Sequence, residues 1–196
     1  MIAVGFFAKT GSAVAVAVAA DPRPRLVDRA VLDLAPGVER FVYHAAQALG
    51  RDAARSVRDS TRRIERAARA GVEEFLRDKD VGSAAIVGHT LDMPASLEVI
   101  LGSHSLVHTA EGVLYRAALA DALAARGVAP VLVAPDEVAR HGWVLEALGK
   151  VPSPWRKEHK DATLAAASLL ALTPGPRGAR ARAPRTARAT RTRPPA

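Results

Sequence analysis

Residues 2–20 read IAVGFFAKTGSAVAVAVAA, two apolar runs joined by Lys9-Thr10-Gly11-Ser12. In the second run, small and larger side chains alternate from Ala13 to Ala19. A period of two is the signature of a strand rather than a helix. The Gly-containing joint supplies turn chemistry, so the two runs pair most simply as a hairpin. Asp21-Pro22-Arg23-Pro24 ends the second strand, because proline fixes φ and removes backbone donors. Leu26–Leu34 then reads as a third strand, and its partly polar pattern suits a sheet edge. The opening of the chain is therefore expected to be a three-stranded antiparallel meander.

After Pro36-Gly37 the period changes to helical. A short helix is expected around residues 40–49, broken at Gly50. A long one follows to about Asp78, with Asp52 as its cap and a stripe of Ala54, Val57, Thr61, Ile64, Ala68, Val72 and Phe75. Val81–His89 contains the continuous run Ala84-Ala85-Ile86-Val87, as a buried central strand would. A helix from about Pro94 to Arg126, loosened at Gly102 and Gly112, stops at Gly127. Residues 128–134 form a fifth strand, Pro135-Asp136 opens a helix to about Leu148, and a last helix runs over residues 157–172. No internal repeat interrupts this order.

The charge is unevenly placed. The chain has 196 residues, 28 Lys+Arg against 20 Asp+Glu and a net charge of +8. Seven arginines (Arg177, Arg180, Arg182, Arg185, Arg188, Arg191 and Arg193) lie after Thr173 without a single acid, leaving 21 basic against 20 acidic residues before them. A basic fold is thereby excluded: the reading is one near-neutral domain, 1–172, and a disordered Arg/Pro-rich tail, 173–196. Such a tail attracts nucleic acid or another polyanion without reading sequence. It has no aromatic residue on which bases would stack. The absence of cysteine excludes disulfide scaffolds and thiolate chemistry and fits a reducing cytoplasm. The apolar stretch Ala13–Ala20 is too short to span a membrane, and the apolar residues preceding Lys9 are the wrong flank for a secretory signal.

The order β-β-β-α-β-α-β-α resembles the α/β ribonuclease H-like three-layer fold. Within it, the Holliday-junction resolvase-like branch is the most similar, because the last helix carries Lys160-Asp161-Ala162. The resemblance implies an acid on the first strand, another at the end of the fourth and acids opening the last helix, together holding two divalent cations at a phosphodiester. The first strand has none, and the fourth ends Val87-Gly88-His89-Thr90, with Asp92 three residues beyond. Only Asp161, with Glu158, matches. A standard two-metal nuclease is not expected.

Two further patterns carry chemistry. His104, His108 and Glu111 stand at i, i+4 and i+7, within about 60° of one another on a helix face. That face continues through Leu97, Leu101, Tyr115, Ala118 and Ala122. Two imidazoles and a carboxylate suit a divalent metal (Mg, Mn or Zn) or proton transfer, and with Asp161 they would form a catalytic group. They equally suit an internal hydrogen-bond network. His44 borders the same cleft or only the domain edge. On the long helix, Arg55, Arg58, Arg62, Arg66 and Arg69 lie opposite the apolar stripe, where they track phosphates or form a solvated outer face. Three readings remain: a divergent resolvase-like protein associated with nucleic acid through these arginines and the tail (Arg180, Arg185, Arg188), a metal-dependent enzyme on a phosphate-containing substrate, and a non-catalytic scaffold.

Overall fold

A computed structural model describes residues 1–21 and 23–170. The tail, with Arg180, Arg185 and Arg188, lies outside the described residues. Strands β1 (Ile2–Lys9), β2 (Ser12–Asp21) and β3 (Arg23–Asp33) form the meander. Helices α1 (Val42–Gln47) and α2 (Ala53–Leu76) follow, separated by a 3-10 turn over Gly50–Asp52. Strand β4 (Val81–Val87), helices α3 (Leu97–Leu101) and α4 (His104–Ala125), strand β5 (Pro130–Val133), and helices α5 (Pro135–Ala139), α6 (Trp143–Leu148) and α7 (Lys157–Ser168) complete the order. The sheet runs β3-β2-β1-β4-β5. β1 pairs antiparallel with β2 and parallel with β4, and β4 pairs parallel with β5. The polar third strand is an edge and the apolar fourth strand is internal, as their patterns require.

The size alternation in β2 sorts the two faces. Ala13, Ala15 and Ala17 join Val4 and Phe6 of β1 beneath α1, α2 and α4. There the helices bring the volume, with Ile64, Val72, Phe75, Tyr115 and Leu119. Val14, Val16 and Val18 face the other way, with Ala3, against Ala162 and Ala166 of α7. A helix of small residues needs large partners from the sheet, and close packing follows from that exchange. Gly5 carries it furthest: a Cβ there would lie 1.9 Å from the carbonyl oxygen of Ala162, so α7 lies directly on the β1 backbone. Helices α4 and α7 are thus on opposite faces of the sheet.

Several boundaries differ from the sequence expectation. Asp52 makes no side-chain cap, because the 3-10 turn feeds α2 directly with Asp52 already in a helical conformation. Pro94 precedes the helix; Ser96 caps α3 by accepting from the Val99 amide at 3.3 Å. The expected single helix breaks at Gly102-Ser103, while Gly112 leaves α4 continuous. Gly127, with φ of 77°, ends it. The helix expected over 135–148 is two, α5 and α6. Arg29 of β3 fixes the loop before α7, donating to the carbonyls of Pro152 and Pro154 at 2.8 Å each and stacking over Trp155.

Candidate functional site

The strands β1, β4 and β5 run parallel, so their C-terminal ends share one edge of the sheet, where Lys9, Gly88 and the opening of α7 meet. At the end of β1, Phe7 points toward the α7 face and is half-buried among apolar residues of that layer. Lys9 reaches Glu158 of α7 at 3.1 Å. Asp161, one turn further along α7, is held by Lys157. Each α7 carboxylate is therefore matched by an ammonium group. The backbone N–H of Glu158 itself, and then Lys9, hold the Glu158 carboxyl below the usual carboxylate range.

The end of β4 is built from glycine and arginine. The Arg116 side chain of α4 lies across Gly88, and a Cβ at that position would come within 2.7 Å of Arg116 Cδ. Any larger residue there, a glutamate included, would displace the arginine. Arg116 is half-buried, which lowers its pKa by desolvation. Among the described residues it forms no ion pair with an acid. Asp92 is exposed in the following loop and forms no ion pair there either. The two divalent cations that the resemblance implies need several converging carboxylates. The donors present do not fit them: an apolar ring and a lysine end β1, an arginine covers the end of β4, and both α7 acids are paired with lysines.

The histidines gather elsewhere, beyond the sheet edge where the first turns of α4 pack against α1 and α3. Glu111 is 3% exposed. Its Oε1 accepts the amides of Tyr43 at 2.8 Å and His44 at 3.2 Å, and faces His44 Nδ1 at 3.3 Å. A carboxylate thus caps the first turn of α1 from a different helix. Its Oε2 is buried without a partner among the described residues. Burial raises the Tyr43 hydroxyl pKa and takes that of Tyr115 up to about 12, with the Glu111 charge adding to both. Tyr115 thereby stays a donor, to the Arg40 carbonyl at 2.6 Å.

His104 and His108 are exposed, not buried with Glu111, because Val107 and Ala110 are the residues this part of α4 turns inward. Their Nε2 atoms lie 3.0 Å apart. His44 completes the group, its ring 4.5 Å from that of His108 and 6.0 Å from that of His104. One nitrogen from each of the three lies within 4.8 Å of the others. Among the described residues it is the one such cluster of His, Asp and Glu. Asp161 does not join it, since α7 lies across the sheet. Glu111 sits behind His44 rather than beside the two exposed rings. The sequence, with His44 after Tyr43 in the short helix, leaves it at the same cleft or at the domain edge; the packing of α1 on α4 makes it a partner.

The arginines of α2 remain on the outside. Arg55, Arg58, Arg62, Arg66 and Arg69 are all exposed, opposite Val57, Ile64, Ala68, Val72 and Phe75. Among the described residues none of the five makes an ion pair. Arg62 and Arg66, with Arg63, line a shallow depression that also holds Asp59.

No family model matches the chain, and none of the curated proteins does. Solved structures are similar. RuvC of Thermus thermophilus in complex with a Holliday junction substrate superposes with a TM-score of 0.56 at 15% identity, over 85% of this chain and 90% of that one. A second structure of Thermus thermophilus RuvC gives a TM-score of 0.54 at 14% identity, over 85% and 91%. The five-stranded mixed sheet and its flanking helices are the ribonuclease H-like fold that RuvC has.

Proposed function

We propose that the protein is a nucleic-acid-binding relative of the resolvases in which the two-metal hydrolytic centre has been replaced by cationic side chains at the end of the sheet. The observation that carries this reading is the exchange at the sheet edge. Lys9 ends β1, the Arg116 side chain of α4 covers the end of β4, and Lys9 and Lys157 pair with the α7 acids, where hydrolysis would need free carboxylates. A sheet end of that sign attracts phosphate without a bridging metal, and an arginine that pairs with no acid among the described residues can donate to phosphate oxygens. The fold is that of a protein seen with a Holliday junction, so branched DNA is the substrate class to offer first.

In this reading the arginine stripe of α2 extends the contact along the backbone. The seven arginines of the tail add attraction without sequence preference. The test is a labelled four-way junction incubated with the full chain, in EDTA and then in Mg2+ or Mn2+. Binding in EDTA without strand scission in either metal is the expected result. Metal-dependent cleavage that survives mutation of contaminating-nuclease controls, and that is lost in Asp161→Asn, would refute the reading.

A further inference from the structure

The histidine group carries an inference independent of nucleic-acid binding. Two facts set it apart from chance surface imidazoles. First, His104 and His108 already hold their Nε2 atoms 3.0 Å apart. Two nitrogens bound to one tetrahedral zinc at 2.0–2.1 Å are separated by about 3.3 Å, so this pair is spaced as ligands of a common ion. Second, the buried Glu111 faces His44 Nδ1 while it anchors the amides of Tyr43 and His44. A proton held on Nδ1 toward the carboxylate leaves Nε2 of His44 as the free nitrogen, the carboxylate–histidine arrangement that orients metal ligands.

We propose that His44, His104 and His108 bind one Zn2+ ion, with Glu111 as the positioning residue that fixes the tautomer and direction of His44. The donor set is three imidazoles without a ligating carboxylate or thiolate, which disfavours Mg2+ and Ca2+ and suits zinc. One nitrogen of each ring already lies within 4.8 Å of the others, against about 3.3 Å between ligands of a tetrahedral zinc, so ring rotations bring the set to a common ion. The exposed rings of His104 and His108 permit that movement. His44 also lines an open cleft of about 510 Å³ with Glu39, Phe41 and Ala45. The fourth coordination position is left to water or a small oxygen ligand, as at zinc sites that meet substrate rather than those that only hold a fold.

The experiment uses the full chain freed of metal by chelation and dialysis, titrated with Zn2+ by calorimetry and with Co2+ by visible absorption. A stoichiometry of one, four-coordinate Co2+ bands, and a Kd raised by at least about 100-fold in each of His44→Ala, His104→Ala and His108→Ala are expected, with Glu111→Gln weakening binding about 10- to 100-fold. His89→Ala and His141→Ala, which alter histidines outside the group, are expected to leave the Kd unchanged. His104 and His108 are exposed, so their variants are informative even where the Glu111 variant folds poorly. Substoichiometric zinc, a Kd in His108→Ala within about threefold of the parent, or equal loss in His89→Ala would overturn the proposal.

Discussion

At the scale of single residues, Gly5 and Glu111 show how one side chain places an element. Because a Cβ at Gly5 would meet the Ala162 carbonyl at 1.9 Å, Gly5→Ala forces α7 off the sheet. The expected cost is about 3 kcal/mol, a fall in Tm of about 6–12 °C by calorimetry. Glu111→Ala leaves two amides of α1 without their buried acceptor, at about 1–3 kcal/mol each, and α1 should lose amide-exchange protection before the sheet does. His159 supplies a pH dependence. It is buried, and desolvation followed by the Arg29 charge lowers its pKa from 6.5. The unfolded chain therefore takes up this proton first as acid is added. The stability it contributes is complete above about pH 6.5 and is lost as the pH falls from there through the lowered value. Urea unfolding at pH 7.5 and 5.5 should show that decline, and His159→Gln should lessen it.

At the scale of elements, the meander was legible because alternation of side-chain size is a local signal, and β2 displays it over seven residues. Gly102 was legible as a loosening of the helix but not as a full break, and the break at residues 140–142 was not legible, since only tertiary packing turns the chain there. The candidate site divides in the same way. His104 and His108 share a helix face and could be paired by spacing alone. His44 lies sixty residues before His104, and its membership depends on how α1 docks on α4. Glu111 was legible as an unusual polar group at a core position, but its part as a cap for α1 was not. For α2, exposed arginines spaced by three and four were visible, whereas their lack of acidic partners among the described residues emerged only from the structure. If Arg62 and Arg66 each contact a phosphate, replacing both by Gln should reduce the slope of log K against log salt by about 1.8. An unchanged slope would return the stripe to the role of a solvated face.

At the scale of the whole molecule, the chain has the ribonuclease H-like fold while Lys9 and Arg116 lie at the end of its sheet. Fold and chemistry are separable for that reason: strand order follows from apolar patterning through the core, and hydrolysis from a few side chains at the strand ends. Among the described residues no helix is long and apolar enough to cross a membrane. The proposed cationic contact at the sheet end is tested by the Kd for a labelled four-way junction in EDTA, comparing the parent chain with Arg116→Met. Methionine keeps an apolar stem over Gly88 and removes the guanidinium, so packing is preserved while the charge is lost. A charge-assisted phosphate contact is worth about 1.5–3 kcal/mol, so binding without metal is expected, weakened about 10- to 100-fold in the variant. Equal affinity in the two proteins, or binding by the parent that requires a divalent cation, would contradict it.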